Sequence, residues 1–269
     1  MSQSSEFLLL LDVGNTNIKV GVAWRGVLQS SLVLPTRLEF TSDTLGLQIF
    51  QVCNFLGLEP ENCKAWVVSS VVPQLDPLLS QAGERFCAAE VLFVPKDLPL
   101  PLVNKYARPE EVGADRLVTA FAARQLYTQP GLIVVDFGTA TTLECIQDQD
   151  YLGGLICPGV LSSLGALGGK TAKLPRIGLS LESTKLQIGI STATSMNQGF
   201  IFGFASMVDG LCQKLQQKLQ GEIKILGTGG FATKIQPVCP CLQEVRNDLL
   251  LQGLLKAYYL EQLSVLGYQ

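Results

Sequence analysis

The chain has 269 residues, 47% of them hydrophobic and 16% charged, which suits one or two well-packed globular domains and not a disordered chain. A formal charge of −3 gives no reason to expect nucleic acid or an anionic membrane as a partner. No apolar run approaches the ~18 residues of a membrane span, and Met1-Ser-Gln-Ser-Ser-Glu6 lacks the cationic opening of a secretory signal, so a cytoplasmic protein is expected.

Histidine is absent from the chain. That excludes Ser-His-Asp and Cys-His nucleophile systems, imidazole metal sites and a histidine base. Any acid–base chemistry therefore points to an Asp or a Glu as proton acceptor. The cysteines, 8 in number, form no C-x-x-C pair, and the close pair Cys239-Pro-Cys241 has no second half. They read as small buried hydrophobes with reduced thiols.

In chain order, residues 7–14, 18–24 and 27–35 read as three strands joined by tight turns, with Arg25-Gly26 making the second turn. Thr41-Ser-Asp43 can cap a helix over 44–57 that sets Leu45, Ile49, Val52 and Leu56 on one face. Residues 65–72 form a buried strand, Pro73 can open a helix to Ala88, and 91–95 is a fifth strand. This order resembles half of a ribonuclease-H-like fold. A Pro-rich loop is expected over 96–112, then a helix from Gly113 to Thr128. The second half runs through strands at 132–137, 141–147 and 151–156, and a helix opening at Pro158-Gly159. Residues 170–186 read as irregular, 194–220 as a long helix, 222–226 as a strand, Gly227–Gly230 as a turn, and the last helix begins near Asp248.

Three glycine-rich stretches compete for a phosphate. Gly168-Gly-Lys170-Thr171 imitates the end of a P-loop, but Leu164 stands where its first Gly belongs. Gly227-Thr-Gly229-Gly-Phe-Ala232 matches a dinucleotide fingerprint, yet only a weak strand signal follows it. The third is a pair. Leu8–Lys19 runs as a buried strand into Asp12-Val-Gly14-Asn15-Thr16, and Leu132–Thr142 runs likewise into Asp136-Phe-Gly138-Thr139. In each unit Gly lets the backbone approach a phosphate, the small polar residues can donate, and the Asp can hold a cation. Two such units suggest related halves on either side of a nucleotide, with the Gly227–Gly230 turn at its adenosine end.

DVGNTNIK (12–19), GADR (113–116), DFGTATT (136–142), GGLICPG (153–159), STATSMNQG (191–199) and GTGG (227–230) stand in order along the chain. Together they resemble the type III pantothenate kinases of the acetate- and sugar-kinase, actin and heat-shock-chaperone superfamily. The resemblance spans about residues 7–260. It implies an α/β fold of duplicated ribonuclease-H-like (actin-like ATPase) domains, 1–115 and 116–269, with a nucleotide cleft between them. It also implies transfer of the ATP γ-phosphoryl group to the primary hydroxyl of pantothenate, the first step of coenzyme A biosynthesis.

Carried over by motif, Asp12 would hold Mg²⁺ with the ATP phosphates, lined by Gly14, Asn15, Thr16, Asn17 and Lys19, with Thr139 and Gly229 also touching the nucleotide. Asp115 would be the proton acceptor. Gly113, Ala114, Arg116, Tyr106 and Thr192 would meet pantothenate, and Asp136 would bind the K⁺ or NH₄⁺ the family requires. The family is homodimeric. Two departures from its pattern are Ser191, where Asn is frequent, and Glu144, where Asp is common. The rival readings are a kinase for another small alcohol or acid, and a non-catalytic ATP-binding accessory protein on the same scaffold.

Overall fold

The computed structural model describes residues 6–170, 175 and 177–265. Two compact units form. One comprises the residues up to Pro101, Glu110–Ala122 and those from Leu250 onward; the other comprises Leu102–Pro109 and Ala123–Leu249.

The first unit is built on β1 (Phe7–Val13), β2 (Asn17–Trp24), β3 (Val27–Pro35), β4 (Cys63–Ser70) and β5 (Glu90–Phe93), in the order β3-β2-β1-β4-β5. The first three strands are antiparallel, and β4 and β5 run parallel to β1. Arg25 (φ 51°) and Gly26 (φ 76°) both take positive φ, the two-residue turn that matches strand twist. Because side chains alternate, Leu9, Leu11 and Val13 face a core shared with Trp66 and Val68 and covered by helices α1 (Ser42–Phe55) and α2 (Asp76–Cys87). Thr41 caps α1 reciprocally with Thr44, and Gly57 (φ 69°) stands just past its end. Helix α2 begins at Asp76 and not at the expected Pro73, because residues 73–75 are spent on a turn in which Asp76 N donates to Pro73 O (3.3 Å).

The opposite face of this sheet carries Leu8, Leu10 and Asp12. Helix α3 (Ala114–Leu126) belongs to this unit as far as Ala122, and helix α7 (Leu249–Val265) from Leu250. Helix α7 closes on that face, and α3 packs on α7. A Cβ on Gly21 would stand 2.9 Å from Leu251, and one on Gly253 2.9 Å from Ala122.

The second unit repeats the plan. Strands β7 (Gly131–Phe137), β8 (Ala140–Gln147) and β9 (Asp150–Pro158) have 7, 8 and 9 residues, the lengths of β1, β2 and β3. β1 and β7 also share one burial sequence, five buried residues, a half-buried aspartate and a final buried residue. β10 (Ile223–Thr228) lies parallel to β7 as β4 does to β1, and β11 (Glu244–Val245) takes the place of β5. The sheet order is β11-β10-β7-β8-β9-β6, with β6 (Val103–Asn104) added at the far edge inside the expected loop. Helices α4 (Val160–Lys170), α5 (Thr192–Gln216) and α6 (Ala232–Ile235) accompany it. β10 runs through Gly227 and Thr228, so the expected turn there narrows to Gly229-Gly230. Gly168–Lys170 ends helix α4 instead of following a strand, which removes the P-loop reading; Thr171 lies outside the described residues.

All eight cysteines are thiols. Burial pushes Cys53 up to about 12 and Cys145 up to about 11, so both are neutral near pH 7. No helix among the described residues is long and apolar enough to cross a membrane.

Helix α5 starts earlier than expected because Ser191 is its N-cap, its side chain accepting from Thr194 N while Thr194 returns the bond to the cap backbone. Asn and Ser cap about equally well, which gives the Ser191 departure a physical reading. Ser191→Asn is expected to leave stability unchanged, and Ser191→Ala to lower it by about 1 kcal/mol in denaturant titration.

Candidate active site

Asp12 is the sixth residue of β1 and shares its face with its ladder partners, Lys19 on β2 and Ser69 on β4. It is half-buried, as is Lys19. Ser69 is wholly buried, and its hydroxyl has no hydrogen-bond partner. An orphaned buried hydroxyl beside a carboxylate suits an oxygen-seeking cation or a phosphate-bound water. The β1–β2 turn projects Asn15, Thr16 and Asn17 into solvent. It is closed by Gly14 N donating to Asn17 O (3.0 Å), and Thr36 pins it from below, its Oγ1 donating to Gly14 O (2.6 Å) and its N to Thr16 O (2.9 Å). The turn is thus held rigidly with its tip open.

Asp115 opens helix α3 at the same end of this sheet. Val71, just past β4, donates its N–H to Val13 O (3.0 Å), and a Cβ on Gly113 would meet the Val71 side chain at 3.2 Å. That Cβ would also stand 2.5 Å from Asp115 Oδ1, so glycine is the residue that leaves the carboxylate its place. Asp115 Oδ1 accepts from Arg116 N (2.8 Å) in the first turn of the helix. Residues 113–116 are all half-buried. Next to Ala114 lies a cavity of about 400 Å³ lined by Ser70, Asp76, Phe93, Val94 and Lys96, room enough for a small molecule. Inside it Ser70 Oγ donates to Asp76 Oδ1 (2.5 Å).

In the second unit Asp136 occupies the matching place on β7, with Thr142 on β8 and Thr228 on β10 as ladder partners. Gly229 (φ 87°) presses its backbone against the Asp136 carboxylate so closely that a Cβ would overlap it. Gly138 and Thr139 form an exposed turn held by Ser162 Oγ donating to Thr139 O (2.7 Å). The Gly229 backbone is followed by a helix of four residues, α6, in a sheet with antiparallel β7, β8 and β9, which is not a dinucleotide-binding arrangement. Tyr106 packs its ring over Gly153 (φ 103°), where a Cβ would stand 2.9 Å away, and its N–H donates to Asn104 Oδ1 (3.0 Å). Thr192 is exposed at the first position of α5, on the rim of an apolar cavity of about 560 Å³ lined by Leu167, Met196, Phe200, Phe204 and Met207.

One unit therefore gathers Asp12, the Gly14–Asn17 turn, Lys19 and Gly113–Arg116; the other holds Tyr106, Asp136, Thr139, Thr192 and Gly229. Sequence reasoning missed Ser69, Thr142 and Thr228, which only the ladder register brings beside the two aspartates. Glu144, the second departure, is a buried residue of β8 that accepts from Tyr151 OH (2.6 Å), away from the strand ends.

Residues 8–214 match the sequence model of the family described as type III pantothenate kinase. The chain belongs to that family. It is 52% identical over 259 residues to the type III pantothenate kinase of Nitratidesulfovibrio vulgaris (strain DSM 19637 / Miyazaki F), covering 96% of this chain and 98% of the relative. It is 37% identical over 248 residues to that of Myxococcus xanthus (strain DK1622), covering 92% and 96%. In fold it is similar to the inorganic polyphosphate/ATP-glucomannokinase of Arthrobacter sp. strain KM, with TM-score 0.52 at 15% identity over 95% of this chain and 99% of the other. A ROK family glucokinase from Streptomyces griseus gives TM-score 0.51 at 12% identity, covering 93% and 98%. The duplicated ribonuclease-H-like architecture is the fold it shares with these two structures.

The chain is thus a kinase, and Gly113 makes its geometry testable. Gly113→Ala is expected to displace the Asp115 carboxylate and lower kcat by roughly 10²-fold, the scale of a 1 Å misplacement. Circular dichroism and melting temperature should stay near wild type, so that the loss reads as positioning and not as unfolding.

Proposed function

We propose that this kinase works through the division of labour its two strand ends suggest. As a type III pantothenate kinase it transfers the γ-phosphoryl group of ATP to pantothenate, in coenzyme A biosynthesis. The observation that carries the residue assignment is the matched pair of aspartates, each half-buried at the sixth position of its strand with polar ladder partners. Phosphoryl transfer needs little covalent help from the protein; it needs positioning and neutralisation of charge.

Asp115 takes the proton of the primary hydroxyl as that oxygen attacks the γ-phosphorus. A carboxylate suffices for this in a chain without histidine. Of the residues assigned to pantothenate, Gly113, Ala114 and Arg116 belong to the first unit and Tyr106 and Thr192 to the second. The Gly14–Asn17 turn and Lys19 receive the phosphates, and Thr139 and Gly229 touch the nucleotide. Asp12 and the Ser69 hydroxyl fit a divalent ion; bound there, Mg²⁺ would neutralise phosphate charge.

The second strand end differs in one respect. Where Asp12 has Lys19 across the ladder, Asp136 has Thr142, and its parallel partner is Thr228. A carboxylate with hydroxyl oxygens on both sides suits an oxygen-seeking ion, here a monovalent one, K⁺ or NH₄⁺. The homodimer is supported by the apolar cavity along α5, whose rim carries Thr192, and by the exposed Ile188 (93%) and Ile190 (95%) before the helix. An apolar surface of this kind is normally covered by another chain.

ADP release tests these assignments. Asp115→Asn is expected to lower kcat by roughly 10²- to 10⁴-fold with ATP binding intact; near wild-type turnover from a folded variant would remove Asp115 as the base. Replacing K⁺ by Na⁺ is expected to abolish most turnover, and Asp136→Asn should make the residual rate indifferent to K⁺. In sedimentation, the wild type should run as a dimer and Met207→Glu as a monomer; a wild-type monomer would refute the dimer.

A further inference from the structure

The second unit holds a cluster of soft donors that the kinase reaction does not use. Asp209 and Cys212 lie one turn apart on α5, hence on one face of the helix. Cys239 and Cys241 come from the segment after α6. The ligating atoms of Asp209, Cys239 and Cys241 all lie within 4.8 Å of one another, and the two sulfurs are 3.5 Å apart. Cys212 is buried in the apolar cluster that packs around this segment.

We propose that Asp209, Cys239 and Cys241 form a three-ligand binding site for a thiophilic divalent cation of the zinc class, with water as the fourth donor. Zinc binds thiolate at about 2.3 Å in a tetrahedron, which sets neighbouring sulfurs about 3.8 Å apart. The observed spacing needs an adjustment of a few tenths of an ångström. The carboxylate is already aimed: Asp209 Oδ1 accepts from Cys241 N (3.1 Å) and Oδ2 from Gln213 Nε2 (2.7 Å), the outer hydrogen bonds that orient a metal ligand. Cys239 is buried and Cys241 half-buried, which gives an ion a way in. Mg²⁺, which prefers oxygen ligands in an octahedron, has no such fit here.

The alternative is that three thiols pack together as small hydrophobes. Apolar packing alone gives no reason for a doubly hydrogen-bonded carboxylate to converge on the same point from another element. Uptake involves no redox change. Each ligating thiol loses its proton to solvent as its sulfur binds the ion, and the ion keeps its charge.

The test is a Co²⁺ titration of the full-length protein, reduced with a phosphine, stripped by chelator and free of ATP. One ion per chain is expected, with a near-ultraviolet thiolate-to-cobalt charge-transfer band, displacement by equimolar Zn²⁺ and a raised melting temperature. Cys241→Ser should abolish the band and weaken binding at least tenfold, and Gln213→Ala should weaken it about tenfold. No thiolate band in the wild type would overturn the site, whatever the variants do. A band that persists unchanged in Cys241→Ser would overturn it equally.

Discussion

The structure depends on how a carboxylate is held one residue short of the end of an otherwise apolar strand. β1 and β7 each lie between an antiparallel neighbour that follows in sequence and a parallel neighbour that arrives later. Two ladders fix the strand from both edges, so a one-residue slip would turn the aspartate into the core and a leucine or valine out of it. Such a slip would bury an unpaired charge, a far larger penalty than any gain in pairing. The hydrophobic run that precedes each aspartate is therefore also what aims it. Stability and chemistry are written in the same seven residues.

The two copies have diverged where charge matters. On the first sheet the residue across from the aspartate is Lys19; on the second it is Thr142. The parallel partners, Ser69 and Thr228, stayed small and hydroxylic in both. An ammonium across the ladder can offset a carboxylate, whereas a hydroxyl contributes only a dipole, so the two strand ends offer different surroundings for charge.

Much of this was legible in the sequence because it rests on local patterns. Apolar runs ending in Asp-x-Gly announced β1 and β7, Arg25-Gly26 announced its turn, and Thr41 announced the cap of α1. What stayed hidden depends on pairing over long distances. The two-residue strands β6 and β11 have too few side chains to show alternation, and they exist only because β9 and β10 offer them an edge. Ser69, inside AWVVSS, looks like any polar residue at the end of a buried strand until the register sets it beside Asp12. The lone Cys239-Pro-Cys241 pair likewise gained company only when α5 brought Asp209 to it.

Glycine placement completes the account of how the carboxylates keep their positions. Gly113 stands against Asp115 and Gly229 against Asp136, each where a single added carbon would strike the carboxylate. A glycine inside an element or at its edge usually weakens it, since the unfolded chain has more freedom to lose. These two positions accept that loss in exchange for backbone brought into contact with a charged group. Gly229 meets a second demand at once: its φ of 87° strains any residue with a Cβ. Substitution there moves the backbone and the aspartate together, while substitution at Gly113 strikes the carboxylate first and the Val71 side chain more lightly.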